Sequence, residues 1–211
     1  MQRILRQPPV SFEAVPVKTE ERENWSVVLE YEDEGSGPYV VDLSHRPRWD
    51  LQDADIGGIQ TLGISIPNAP GQCVFEKGFL INRMNRTQAS VWHLDGPAPV
   101  FPEDAAFTDV TDATVFLTIF GQGLFAILEK LSALDFLDPS REAPFLLQGP
   151  VSHVPCQIVT LDKTPARSGV LMTCSRGYGR DMVDAILAAG AEFKLRPAGE
   201  QAFSRWLDEL G

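Results

Sequence analysis

Residues 108–134 read TDVTDATVFLTIFGQGLFAILEKLSAL, and this stretch decides the fold class. Its first half is rich in β-branched and aromatic residues, which favour a strand. In its second half Leu124, Ile127, Leu128 and Leu131 repeat at the spacing of one helix face. The stretch therefore predicts a strand that runs directly into an amphipathic helix.

Further along the chain, the same strand and helix patterns recur. Two strand-like runs and two amphipathic helical runs follow, at 154–161 (VPCQIVTL), 168–175 (SGVLMTCS), 180–190 (RDMVDAILAAG) and 200–210 (EQAFSRWLDEL). The order strand, helix, strand, strand, helix is that of a split β-α-β unit, with helices on one face of an antiparallel-rich sheet. The predicted class is α+β, arranged as two small lobes. A doubly wound nucleotide-binding fold needs a regular strand–helix alternation, and this order departs from it.

The N-terminal half reads as hairpins joined by irregular connections. WSVVLEY (25–31) and PYVVDLS (38–44) flank the turn-forming EDEGSG and predict a first hairpin, and FLINRMN (79–85) with TQASVWHL (87–94) predicts a second. The proline-rich segment near 95–105 is the candidate lobe boundary. Residues 1–24 carry prolines and a charge run, so we expect a flexible arm there and one domain over 25–211.

Net charge indicates which partners to expect, and cysteine content indicates which cellular compartment. The chain has 29 acidic and 18 basic residues, a net charge of -11, which repels nucleic-acid backbones and anionic lipid surfaces. Its three cysteines are an odd number in apolar contexts, which indicates buried free thiols and a reducing compartment. The sequence contains neither a signal-peptide pattern nor an apolar run of about 18 residues. We therefore expect a cytoplasmic protein with no nucleic-acid or membrane partner.

Three segments carry a resemblance to a known superfamily. They are Asp42–Arg48 (DLSHRPR), residues 108–134, and residues 189–199, which end in Pro197-Ala198-Gly199. In order and spacing they resemble the folate-binding superfamily of the glycine-cleavage T-protein, an aminomethyltransferase, and above all the gamma subunit of sarcosine oxidase. The resemblance implies a T-protein-like fold and an accessory, non-catalytic subunit of a one-carbon, amine-demethylating complex.

The same resemblance implies cofactors and partners. Tetrahydrofolate is a possible ligand of a folate-type pocket, and no flavin or nicotinamide site is expected in this chain. The expected partners are other subunits of an oxidase or methyltransferase complex, or further copies of the chain. A stand-alone tetrahydrofolate-dependent aminomethyl- or methyltransferase is the alternative function. A small-molecule-binding or structural module that keeps only the fold is the second alternative.

The candidate site residues fall in three places. Glu76 is the one carboxylate that aligns with the T-protein's amine-binding position, where it could act as a general base; otherwise it forms an exposed turn pair with Lys77. Asn82, Arg83 and Arg86 could hold the carboxylates of a folate tail or an acidic partner, or form a solvated hairpin tip.

The third place is the start of a predicted helix, where Arg176 and Tyr178 flank Gly177 and could hold a small anion, or form a tight turn. His153 and Cys156 have the spacing H-x-x-C, but the two further ligands that zinc requires are missing nearby. We therefore predict no metal site.

Overall fold

The computed structural model describes residues 5–210, with the backbone alone for Gln60 and Thr61. In chain order the strands are β1 Pro16–Arg22, β2 Trp25–Tyr31, β3 Tyr39–Asp42, β4 Arg48–Gln52, β5 Gln60–Thr61, β6 Ile64–Ser65, β7 Cys73–Glu76, β8 Phe79–Arg83, β9 Gln88–His93, β10 Phe107–Asp109, β11 Thr114–Phe120, β12 Phe145–Val151, β13 Val154–Asp162, β14 Gly169–Ser175 and β15 Arg196–Pro197. The helices are α1 Leu124–Glu129, α2 Gly179–Gly190 and α3 Glu200–Asp208. Short 3₁₀ turns lie at Ile56–Gly58, Arg176–Tyr178 and Ala191–Phe193.

Two sheets form the body of the protein. A five-stranded sheet has the order β10-β4-β9-β8-β7, and a six-stranded sheet has the order β12-β13-β14-β11-β3-β15. Neighbouring strands run antiparallel except for β15, which pairs with β3 in parallel. A separate two-stranded ribbon joins β1 to β2, and β5 pairs with β6. Mostly antiparallel sheets with three helices make the fold α+β, as the sequence predicts.

The six-stranded sheet is covered on both faces. Side chains alternate along a strand, so Val115, Leu117 and Ile119 of β11 pack with α1 and α2 on one face. Phe116 and Phe120 point to the other face, which packs against α3 and the five-stranded sheet. The expectation that all helices share one face is therefore wrong for α3. The aromatic side chains of α3 fill the space at that second face, where Trp206 stacks on Phe120 at 4.9 Å between ring centroids.

Several predicted elements are confirmed with small changes in length. β8 pairs with β9 and β13 with β14, as the alternating patterns indicate. α2 and α3 occupy the two predicted C-terminal helical runs, whereas α1 ends at Glu129, short of the predicted Leu134.

Two expectations for the N-terminal part are wrong. Residues 16–22 form β1 and pair with β2, so a flexible arm does not extend over them. β2 and β3 do not form a hairpin, because β2 pairs with β1 whereas β3 pairs with β11 and β15. The charged β1 has exposed side chains, and its order comes from backbone pairing with β2, which a side-chain pattern does not reveal.

The segment predicted as a lobe boundary connects two strands of one sheet. Residues 94–106 join β9 to β10, and both strands belong to the five-stranded sheet. The chain crosses to the six-stranded sheet after β10, over residues 110–113. β3, which precedes every strand of the five-stranded sheet in sequence, already belongs to the six-stranded one, so the two sheets are interleaved along the chain.

Close packing at Gly199 predicts a sensitive position. A Cβ at Gly199 would lie 2.2 Å from the backbone of Leu29 in β2, whereas a Cβ at Gly177 would meet nothing within 4 Å. We expect Gly199→Ala to lower the free energy of unfolding by about 1–3 kcal/mol, because the backbone of β2 cannot move aside freely. Gly177→Ala should change it by about 0.5 kcal/mol or less. Urea unfolding followed by circular dichroism measures both free energies. Equal effects of the two substitutions would contradict the close packing of Gly199 against β2.

Candidate functional site

The connection between β3 and β4 meets the start of α3. β15 pairs with β3, and the Ala198 N–H donates to the carbonyl of Val40 at 3.0 Å. This pairing places Glu200, the first residue of α3, beside His45 and Arg46 of the β3–β4 connection. The Asp42–Arg48 segment and the residue that follows Pro197-Ala198-Gly199 therefore meet at one point in the fold.

Glu200 is the centre of an ionic group that we call the Glu200 cluster: Arg22, His45, Arg46 and Glu200. Glu200 Oε1 lies 2.9 Å from His45 Nε2 and 2.6 Å from Arg46 Nη2. Its other oxygen, Oε2, accepts a hydrogen bond from Arg22 Nη1 at 2.5 Å. The cluster thus joins the β1–β2 ribbon, the β3–β4 connection and α3.

Burial makes these contacts strong. Glu200 is 3% exposed, and although burial acts to raise its pKa, the His45 hydrogen bond and the charges of Arg46 and Arg22 hold the pKa at about 2. Burial lowers the pKa of Arg46, and the Glu200 carboxylate opposes that effect. Arg46 also donates to the carbonyl of Leu94 and lies 5.5 Å from the Phe203 ring centroid. The Nε of Arg46 is buried and has no acceptor in the described part of the chain.

A second histidine lies near the cluster in a neutral form. His93 is buried at the end of β9, with its ring centroid 5.0 Å from that of Phe79. Burial, helped by the positive charge of Arg46, lowers the pKa of His93 to about 4. At neutral pH this imidazole therefore adds hydrogen-bonding capacity without charge.

Two cavities lie on either side of His45. The first, which we call the cluster cavity, has a volume of about 360 Å³ and is lined by Arg22, Glu23, His45, Arg46, His93 and Glu200 together with Pro47, Gly96, Pro97 and Ala98. The second, which we call the arm cavity, has about 370 Å³ and lies between residues 8–16, β2 and Asp42. The cluster cavity presents arginine and histidine N–H donors, which suit an anionic or acceptor-rich ligand.

The six residues singled out from the sequence lie apart from both cavities. Glu76 is exposed at the β7–β8 turn, where Lys77 Nζ lies 3.4 Å from its carboxylate. Arg86 is exposed in the β8–β9 turn, at the opposite end of β8. Asn82 is buried and donates to Ser90 Oγ at 3.2 Å, and Arg83 is buried and donates to the carbonyl of Arg86.

At the third predicted site, the start of α2, Arg176 contacts the N-terminal segment. Arg176 donates to the carbonyl of Gln7, and its guanidinium carbon lies 5.9 Å from the Trp25 ring centroid. Tyr178 is 46% exposed. The six residues therefore lie in separate parts of the fold rather than in one pocket.

His153 and Cys156, the H-x-x-C pair, also lie in different environments. His153 lies at the tight β12–β13 turn with φ 69°, whereas Cys156 is buried against the core of α1 and α2. Over residues 5–210 the structure brings together no group of three or more His, Cys, Asp or Glu side chains that could hold a metal ion.

Sequence reasoning missed the residues that form the cluster. His45 and Arg46 belong to the DLSHRPR motif, but their role becomes visible only once Glu200 lies beside them. Glu200 directly follows Pro197-Ala198-Gly199, and an acidic residue in the first turn of a helix ordinarily indicates a solvated favourable charge. Arg22 lies in a charge run with no pattern that distinguishes it from its neighbours.

Among the comparisons with known proteins, the comparison with solved structures finds a match. No protein-family model and no curated protein matches the chain. The structure is similar to one chain of the heterotetrameric sarcosine oxidase from Corynebacterium sp. U-96, solved in complex with pyrrole 2-carboxylate. The TM-score is 0.59 and the sequence identity 12%, and the match covers 75% of this chain and 87% of that chain. This likeness shows a shared fold.

One further structural finding bears on the class of protein. Within the described part of the chain, none of the helices has the length and apolar character needed to cross a bilayer.

The Glu200 cluster predicts a pH-dependent stability. Because the pKa of Glu200 falls from 4.5 to about 2 on folding, its contribution is complete above pH 4.5 and is lost as the pH falls toward 2. This contribution is on the order of 3 kcal/mol. Glu200→Gln should remove that pH dependence and destabilise the protein at pH 7 by about 3 kcal/mol, because buried Arg46 loses its anion.

Unfolding in urea at pH 7, 4.5 and 2.5 measures both effects. Glu192→Gln is the matched control, because Glu192 pairs with Lys130 on the surface, and it should cost about 1 kcal/mol or less. A Glu200→Gln protein as stable as the control at pH 7 would show that the cluster does not stabilise the fold.

Proposed function

We propose that this chain is an accessory subunit of an amine-demethylating enzyme complex of one-carbon metabolism, built on the T-protein-like fold of the sarcosine oxidase gamma subunit. The observation that carries the proposal is the fold similarity to a chain of heterotetrameric sarcosine oxidase, which extends over 87% of that chain. The order of the DLSHRPR, strand–helix and Pro-Ala-Gly segments supports the same assignment.

The chemistry of the Glu200 cluster favours an accessory role over a catalytic one. A general base works best with a pKa near the working pH. Glu200 has a pKa of about 2, and both of its oxygens are held by cationic or N–H donors. Glu76, on which the stand-alone transferase alternative depends, lies on an exposed turn paired with Lys77.

Amine demethylation also requires a redox group. Oxidation of an N-methylamine removes two electrons and a proton from the methyl carbon to give an iminium ion, which water then hydrolyses to an aldehyde and the shorter amine. The two electrons must pass to a redox cofactor. We expect that cofactor on a partner chain, and cytoplasmic assembly with that chain is part of the proposal.

The subunit role predicts a stoichiometric complex. The tagged full-length chain, purified at low salt from its source cells, should bring down partner chains in a fixed ratio and an activity that oxidises a secondary N-methylamine. Mass spectrometry of the purified species and an aldehyde assay measure the two results. A chain recovered only as a monomer or homo-oligomer, with no such activity in the eluate, would contradict the proposal and support a stand-alone binding or structural module.

Tetrahydrofolate binding is a finer part of the proposal and has its own test. If the hairpin arginines hold a folate tail, Arg86→Ala should weaken 5-formyltetrahydrofolate binding by about 10-fold in calorimetry, because a hydrogen bond to a charged group is lost. Arg83 is left intact because its guanidinium holds the turn through the Arg86 carbonyl. Arg180→Ala is the matched control, since Arg180 is exposed on α2.

The possible outcomes separate the folate pocket from the subunit role. No binding of 5-formyltetrahydrofolate at millimolar concentration would remove the folate pocket and the stand-alone transferase together. Binding that Arg86→Ala leaves unchanged would place the ligand elsewhere. Neither result alters the co-purification on which the subunit role depends.

A further inference from the structure

The arm cavity combines aromatic walls with one carboxylate. Its volume of about 370 Å³ lies at the lower end of the range for small-molecule pockets. Phe12, Trp25 and Tyr31 line it, and Asp42 at the end of β3 supplies the carboxylate. The rings of Phe12 and Tyr31 meet edge to face, with centroids 5.9 Å apart. The rest of the lining is mainly aliphatic, with Val10, Ala14, Val27, Val28 and Ala198, and also includes His45, Ser11 and Ser26.

Asp42 has no cation in ion-pair contact among the described residues. Its Oδ1 accepts a hydrogen bond from the Ser44 N–H at 2.9 Å. Arg48 lies in the same region, but its guanidinium donates to the carbonyls of Ser44, Arg46, Thr111 and Thr114 and to the Thr114 hydroxyl. Burial raises the pKa of Asp42, and hydrogen bonding by Ser44 and the charges of His45 and Arg48 act in the opposite direction.

The cavity also contains an unsatisfied donor. Trp25 is 2% exposed and lines the cavity, and its indole Nε1 is buried without a hydrogen-bond acceptor among residues 5–210. A buried N–H that lacks an acceptor is costly, and natural proteins satisfy nearly all such groups. The phenol of Tyr31 remains neutral, because burial and then the charge of Asp42 raise its pKa.

We propose that the arm cavity binds a small organic amine in its cationic form, with the ammonium group against the Asp42 carboxylate and an acceptor oxygen of the ligand at Trp25 Nε1. Aromatic side chains attract alkylated ammonium ions through their π faces and accommodate the alkyl groups. An anion would be repelled by Asp42, and an apolar molecule would leave the Asp42 carboxylate without a bound cation and the indole N–H without an acceptor. The site needs no partner chain, so it stands independently of the proposed subunit role.

Choline and its neutral isostere 3,3-dimethyl-1-butanol test the charge requirement. The two molecules have nearly the same shape and the same hydroxyl group, but only choline carries a positive charge. In calorimetric titrations of the full-length chain at pH 7, we expect saturable choline binding and at least about 10-fold weaker binding of the isostere. Equal binding of the two, or no binding of choline at millimolar concentration, would overturn the proposal.

Asp42→Asn tests the carboxylate and keeps the acceptor for the Ser44 N–H. It should weaken choline binding by about 10-fold or more. Asp109→Asn is the matched control, because Asp109 accepts from the Thr111 N–H at the same 2.9 Å but does not line the cavity. Unchanged choline affinity in a folded Asp42→Asn protein would refute the assignment of the ammonium site.

Trp25→Phe tests the donor without removing the aromatic wall. It should weaken choline binding several-fold while leaving the affinity for tetramethylammonium, which has no acceptor oxygen, nearly unchanged. Because this comparison uses two ligands on one variant, it remains informative even if Asp42→Asn fails to fold. An equal loss for both ligands would contradict a role for the indole N–H.

Discussion

The buried carboxylate of Glu200 is the constraint around which this part of the fold is organised. An isolated charge in a protein interior is strongly unfavourable, so Glu200 can be buried only if its cationic partners arrive together with it. Those partners come from the β1–β2 ribbon and from the β3–β4 connection, far from α3 in sequence. Folding of α3 onto the sheets therefore also fixes the position of the ribbon and of the connection.

Both cavities depend on that arrangement. His45 contributes to the walls of each, and its imidazole is held by Glu200. On one side the cluster cavity presents arginine and histidine donors beside Glu23 and Glu200; on the other, Asp42, His45 and the aromatic side chains line the arm cavity. The Glu200 cluster thus lies between two cavities that differ in their lining.

The sequence predicts those parts of the fold that depend on local pattern. Alternation in β8, β9, β13 and β14 and the helical periodicity of α2 and α3 are visible because side-chain burial repeats along one element. β1 has no such pattern, since its exposed charged side chains conceal a strand held by backbone pairing. Which face α3 covers depends on the fit of Phe203 and Trp206 between the sheets, and this fit is not encoded in the helix alone.

The candidate site was harder to predict for the same reason. Glu200 is 155 residues from His45 and 178 from Arg22, so no local spacing connects them. Glu76 and Arg86 stood out because polar residues at turns are conspicuous in a sequence, yet the turns place them at opposite ends of β8. Residues 42–48 and 189–199 stand out in the sequence, but no pattern in them indicates that Glu200 contacts His45 and Arg46.

Native-state hydrogen exchange of the wild-type and Glu200→Gln proteins tests the central claim most directly, because it reports the opening free energy of each element separately. If the cluster joins the ribbon, the connection and the helix, the amides of β2 and α3 should lose protection by similar amounts in the variant. Those of β12 and β13, at the opposite edge of the six-stranded sheet from β3 and β15, should retain more of theirs. Loss of protection confined to α3, with β2 unchanged, would contradict the account.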